Sequence, residues 1–179
     1  MGKKVLIVAT SPRRNGNSNR LAEAFAKGAL QAGHQVETVY LCEKNIGFCR
    51  GCLACQKTMR CVIRDDADAI AQQMGAADIL VFATPIYYYG MSGQMKAMLD
   101  RANPLFSADY TFRDVYLLTA AAEDGPEMPE GAVHGLQGWI SCFEKARLAG
   151  SVFAGGVTDV GEIEGHPVLQ TAFEMGSRI

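Results

Sequence analysis

Ser11-Pro12-Arg13-Arg14-Asn15-Gly16-Asn17-Ser18-Asn19 is the stretch on which the fold of this chain turns. It follows the apolar run Val5-Leu6-Ile7-Val8-Ala9 and precedes a helical pattern that opens near Leu21. A buried strand, a polar turn and a helix start, in that order, form the first unit of an α/β protein. The same order makes an anion site. A helix start offers unpaired N–H groups and the positive end of the macrodipole. Ser11, Asn17 and Ser18 can add hydroxyl and amide donors, and Arg13 can add charge. Phosphate is the anion that this geometry suits, so the turn points to a phosphorylated cofactor. The plainer reading is a polar turn with Ser18 as helix N-cap.

Outward from the turn, apolar β-branched runs alternate with helical patterns. Strands are expected at 4–9, 35–41, 78–84, 115–121 and 151–157, and helices at 19–32, 67–74, 92–102, 133–146 and 167–176. The strands are apolar throughout, as parallel strands covered on both faces must be. In the first helix Leu21, Ala24, Phe25 and Gly28 share one face, and Gly33 supplies a stop. Five such pairs predict a single domain over 1–179 with a doubly wound, five-stranded parallel sheet in three α/β/α layers. Ligands of such sheets bind beyond the carboxyl ends of the strands, at the switch point. The loops after strands one, three and four should therefore face one site.

The bulk composition narrows the classes. The 179 residues carry a net charge of -2, which does not favour a nucleic-acid or anionic-membrane partner. No apolar run approaches the roughly 20 residues of a membrane helix. Met1-Gly2-Lys3-Lys4 runs straight into a strand pattern without a secretory cleavage site, so the expected compartment is the cytoplasm. No G-x-S-x-G or H-E-x-x-H pattern supports a hydrolase. His34, His134 and His166 are dispersed, and Trp139 and the helical face of Met91, Met95 and Met98 read as packing.

After the third strand comes Thr84-Pro85-Ile86-Tyr87-Tyr88-Tyr89-Gly90-Met91-Ser92-Gly93. Pro85 stiffens the strand exit, Gly90 and Gly93 let the backbone approach a ligand, and Ser92 can cap the next helix. The tyrosines offer flat surfaces to a planar ring system, although each alone reads as a packing or interface residue. The first turn has neither the G-x-G-x-x-G of dinucleotide folds nor the Gly-Lys-Ser/Thr of the P-loop, which argues against NAD as its ligand.

With these pieces the chain resembles the flavodoxin-like NAD(P)H-dependent FMN reductase superfamily, in particular its iron–sulfur flavoprotein branch. The likeness lies in Ser11–Ser18, Thr84–Ser92 and the tail Gly161-Glu162-Ile163-Glu164-Gly165-His166-Pro167, and covers nearly the whole chain. It implies FMN, with the phosphate at Ser11, Arg13, Asn17 and Ser18, joined by Asn19. It places the isoalloxazine against Pro85, Ile86, Tyr87 and Tyr88, beside Gly90. It implies contacts, mostly through backbone, from the loop Ala120-Ala121-Ala122-Glu123. It also implies NAD(P)H as electron donor, a small-molecule or protein acceptor, and a homodimer or homotetramer. The flavin carries the chemistry, so no catalytic acid or base is assigned.

Cys49, Cys52, Cys55 and Cys61 form C-x2-C-x2-C-x5-C inside the irregular stretch 42–64, and a loop that long is usually functional. Four thiolates at this spacing suit a [4Fe-4S] cluster, and the spacing matches the iron–sulfur flavoprotein branch. A structural zinc, or free or disulfide-paired thiols, are the other readings. Arg50 and Arg60 can offset a cluster's negative charge, and Cys42 and Cys142 are expected to be buried thiols. Asp65-Asp66-Ala67-Asp68 reads as a helix start and only weakly as a metal site. The expected function is an FMN oxidoreductase that can pass electrons through a cluster. The alternatives are an iron–sulfur flavoprotein carrier served by ferredoxin, without catalysis, and a zinc-stabilised binding module without flavin.

Overall fold

Val5, Leu6, Ile7 and Val8 leave no polar face on the first strand, so it must be covered on both sides. The computed structural model describes residues 2–179 and meets that demand with helices above and below one sheet. In chain order the elements are β1 (Lys4–Ala9), α1 (Asn17–Gln31), β2 (Gln35–Tyr40), α2 (Cys55–Thr58), α3 (Asp66–Ala76), β3 (Ile79–Tyr87), β4 (Gly90–Met91), α4 (Gly93–Arg101), β5 (Asp114–Ala120), α5 (Glu130–Ile140), β6 (Arg147–Ala154) and α6 (Val168–Ser177).

The sheet order is β2-β1-β3-β5-β6, with every neighbouring pair parallel. Alternate side chains of β1 serve opposite layers. Val5 and Ile7 join Leu21, Phe25 and Ala172 beneath α1 and α6. Leu6 and Val8 join Ile70, Met74, Met95, Met98 and Leu136 beneath α3, α4 and α5. Trp139 lies along Phe112 in that second core, nearly coplanar at 6.0 Å between ring centroids. This is the expected doubly wound, three-layer fold.

Several element boundaries differ from expectation: α2 and β4 were not expected, α5 runs over Glu130–Ile140 and not 133–146, and three further shifts bear on the sheet and its loops. α1 starts at Asn17, two residues early, so Asn17 and Ser18 sit in its first turn and Gly16 stands at the cap. β3 runs on to Tyr87 and folds back through a two-residue turn onto β4, pairing Ile86 with Met91 and Tyr87 with Gly90. β6 begins at Arg147 and ends at Ala154, earlier than expected at both ends. It is an edge strand with alternating exposure, and a search for a continuously apolar run passes over Arg147 and Gly150.

Glycine sets the distance between α1 and α6. A Cβ on Gly28 would stand 2.0 Å from the Phe173 carbonyl oxygen, and one on Gly176 would stand 2.1 Å from that of Phe25. The two helices thus touch backbone to backbone, each through its own glycine. Gly28→Ala should push them apart and cost about 1–3 kcal/mol in denaturant unfolding, as overpacking does. A variant as stable as the parent would contradict the close approach.

Candidate functional site

The carboxyl ends of β1, β3, β5 and β6 meet at one cleft of about 150 Å³. Ser11, Arg13, Asn17 and Ser18 line one side, Pro85, Ile86 and Tyr87 another, and Ala120–Ala122 with Val157 and Thr158 close it. Seven of the residues expected at the flavin thus stand together. Asn19, Tyr88 and Gly90 are not part of the cleft wall.

The turn is built around its helix start. Gly16 at the cap position has no side chain to spend on the helix, so no side chain caps α1. A Cβ there would lie 2.5 Å from Ser11 Oγ and 3.1 Å from the Arg13 carbonyl oxygen, so a larger residue would displace the Ser11 hydroxyl. Ser11 Oγ accepts the Arg13 N–H at 3.1 Å. Asn19 is fully buried, and its amide donates to the carbonyls of Arg13 (3.2 Å) and Arg14 (2.8 Å), bracing the turn from behind. Ser18 Oγ and Asn17 Oδ1 are buried and have no hydrogen-bond partner among the described residues. A buried orphan hydroxyl beside uncapped helix N–H groups is the form of a site shaped for an oxyanion.

A hydroxyl network behind the cleft joins its two main loops. Thr10 Oγ1 donates to the Ala83 carbonyl at 3.0 Å and lies 3.0 Å from Ser92 Oγ. Ser92 N donates to Thr84 Oγ1 at 3.0 Å. Ser92 also caps α4, accepting from Met95 N at 3.3 Å as its position suggested. All three residues are fully buried. In front of this network the β3–β4 turn holds Tyr88 and Tyr89 at φ of 49° and 62°, a left-handed pair that side chains seldom adopt. That turn throws Tyr88 wholly into solvent and leaves Tyr87 at the rim, 42% exposed.

The loop after β6 was not foreseen as part of the site, because its first residues read as strand. Its position at the carboxyl edge was the available signal. The Thr158 carbonyl accepts Arg13 Nη2 at 2.9 Å, and the Asp159 carbonyl accepts Asn17 Nδ2 at 3.0 Å. Glu162 in turn accepts the N–H groups of Thr158 (2.5 Å) and Asp159 (2.9 Å), which hold its carboxyl below the usual range.

The sequence profile described as NADPH-dependent FMN reductase matches residues 3–156. The chain belongs to that family, a family of oxidoreductases. An iron-sulfur flavoprotein of Archaeoglobus fulgidus is 35% identical over 101 residues, 56% of this chain and 46% of that protein. The chain therefore spans about half the length of such curated relatives. An iron-sulfur flavoprotein of Methanosarcina thermophila is 25% identical over 98% of this chain and 93% of its own length. Among solved structures, an NAD(P)H:quinone oxidoreductase of Methanothermobacter marburgensis superposes with a TM-score of 0.74 at 16% identity, over 99% of this chain and 97% of the other. That likeness shows the shared fold.

The cysteine loop of this family member forms a second cavity, of about 440 Å³. Cys49, Cys52, Cys55 and Cys61 all line it, and it shares no lining residue with the first cleft. Cys55 is buried, Cys61 half-buried, and Cys49 and Cys52 exposed. Cys55 Sγ accepts from Asn103 Nδ2 at 3.0 Å, and Cys49 Sγ from Gly51 N at 3.4 Å. Among the described residues no three Cys, His, Asp or Glu side chains are gathered as a metal-ligand set. Cys42 and Cys142, expected to be buried, are exposed. Cys42 follows an edge strand, and Cys142 follows the end of α5 and lines the cysteine cavity.

The acidic run before α3 holds this loop. Asp65 caps α3 through Ala67 N at 3.1 Å and accepts Gly47 N at 2.8 Å. Asp66 accepts Asn45 N, and Asp68 accepts Cys61 N, both at 2.7 Å. The expected helix start is correct. The weak metal reading gives way, because each carboxylate is engaged by loop backbone.

Two outcomes are expected. Ser92→Ala removes the hydroxyl partner of buried Thr10 and the cap on Met95 N, while Thr84 keeps the residue 92 N–H, and should cost about 1–3 kcal/mol in urea unfolding. Glu162, with its pKa lowered in the folded state, steadies the 158–162 loop above the ordinary carboxylate range and loses that hold as pH falls through its lowered value. The protection factors of the Thr158 and Asp159 amides, each taken against the intrinsic rate at the same pH, should fall on acidification, and Glu162→Gln should lack that protection already at neutral pH. Exchange that ignores both pH and the substitution would refute the role.

Proposed function

We propose that the protein is an NAD(P)H-dependent FMN oxidoreductase. The observation that carries this reading is the buried orphan hydroxyl of Ser18 at an uncapped helix start, facing an apolar wall across one cleft. Its donor set fits a monophosphate. Ser11 and Ser18 hydroxyls, the α1 N–H groups and Arg13 surround the position, and the Arg13 fork has five donors of which one is committed to Thr158. Pro85, Ile86 and Tyr87 would press on one face of the flavin, and Ala120–Ala122 would approach its edge without bulky side chains. When bound, FMN supplies hydride acceptance and release of electrons singly or in pairs. The half-exposed Tyr87 leaves the open side of the cleft to the nicotinamide donor and then to the acceptor. The chain's residues hold and orient, and none is required to move a proton.

A [4Fe-4S] cluster at Cys49, Cys52, Cys55 and Cys61 is the finer part of the proposal. Support comes from the spacing, from one cavity common to all four thiols, and from N–H donors on two sulfurs. Several relatives also carry the name iron-sulfur flavoprotein. The donor chemistry fits a thiolate-bound centre, with the exposed thiols turning inward as it assembles. A carrier served by ferredoxin, without catalysis of its own, is the competing reading, because the two cavities are separate.

Each charged hydrogen bond lost is worth about 1.5–3 kcal/mol. Arg13→Ala with Ser18→Ala should therefore weaken FMN binding by at least about tenfold in fluorescence titration, and unchanged affinity would sink the phosphate assignment. Rapid anaerobic bleaching of the bound flavin by NADPH or NADH is expected. Bleaching by reduced ferredoxin alone would establish the carrier instead.

A further inference from the structure

Arg101 has the largest fully buried side chain among the described residues. A guanidinium removed from water is prohibitive unless paired. Here Nη1 and Nη2 meet the two oxygens of Asp65 at 2.6 and 2.7 Å, a two-pronged pair that is 0% exposed on one side and 5% on the other. The same two nitrogens donate to the carbonyls of Gly47 (2.7 Å) and Ile63 (3.4 Å). Gly47 lies two residues before Cys49 and Ile63 two residues after Cys61. One side chain on α4 therefore grips both ends of the segment that carries all four loop thiols. Asp65 doubles the grip on Gly47 through its N–H. Arg101 Nε is also buried and has no hydrogen-bond partner, a donor left over on the side chain that closes the loop. Asp65 first, and Cys61 after it, keep the guanidinium charged against the burial that opposes it.

We propose that Arg101 is a positioning residue for the four-cysteine loop, pinning Gly47 to Ile63 and thereby setting the separation of Cys49, Cys52, Cys55 and Cys61. The clamp stands on the contacts of this chain alone. Lysine cannot replace the residue, because a point charge cannot span two carboxylate oxygens and two carbonyls at once.

The test compares wild type, Arg101→Lys, and the double variant Arg101→Met with Asp65→Asn. The double variant keeps the α3 cap and leaves no unpaired charge. FMN-loaded, metal-stripped full-length chain is labelled with iodoacetamide, and the rate is read cysteine by cysteine. Both variants should label the buried Cys55 severalfold faster, approaching Cys49, while Cys42 outside the clamp stays at its wild-type rate. After anaerobic reconstitution with ferrous iron and sulfide, both should hold severalfold less iron per chain. Wild-type labelling at Cys55 in both variants would overturn the clamp. Loss of the parent's cooperative urea transition in both variants would overturn it too, as a general loss of structure. A wild-type chain that takes up no iron would overturn the metal reading, and the labelling rates alone would then decide the clamp.

Discussion

A parallel sheet covered on both faces has no place for water within it, and that constraint organises the molecule. Polar side chains of the central strands can be satisfied only at the strand ends, where loops and helix starts meet. Thr10, Thr84 and Ser92 lie there, fully buried, and satisfy one another across three segments of chain. Their network joins the turn after β1 to the β3–β4 hairpin and to the start of α4. The cleft is the solvent side of this arrangement. It has helix N–H groups and hydroxyls at one end and apolar wall at the other because the switch point between β1 and β3 opens there.

The cysteine loop obeys a different rule. It lies outside the sheet and contributes little to either core, so packing cannot hold it. Ionic and backbone hydrogen bonds hold it instead. Three carboxylates in four residues before and within α3 each take a separate loop N–H, and Arg101 closes the loop from the second layer. A carboxylate at a helix start is stabilised by the dipole, which makes Asp65, Asp66 and Asp68 suited both to begin α3 and to anchor what precedes it. The cleft at the strand ends and the thiol cavity are thus built by separate physics on separate parts of the fold.

Much of the cleft was legible because each of its parts carries a local signature. An apolar run, a Ser/Asn/Arg turn and an aromatic segment after the third strand identify the loops, and topology brings the loops together. The reading lost accuracy where a residue's role depends on something distant. Asn19 looks like a ligand donor in the sequence, and only the bonds to Arg13 and Arg14 show it bracing the turn. Tyr88 looks equivalent to Tyr87 until the left-handed turn sends it outward. Thr158 and Asp159 look like unmarked loop residues beyond the expected last strand until their carbonyls are found against Arg13 and Asn17.

The sequence by itself determined the class of fold, the polar turn after β1 and the cysteine spacing, because alternation of apolar runs, turn chemistry and residue intervals are all local properties. Only the tertiary structure decided which donors face the cleft, that the loops after β1, β3, β5 and β6 close on it, and that the thiols occupy a cavity apart from it. It also revealed Arg101, whose partners are 36 to 54 residues away. An arginine near the end of an amphipathic helix reads as a solvated charge. Its burial becomes apparent only when the loop, the acid and the helix are assembled, since the pairing that makes burial tolerable is itself long-range.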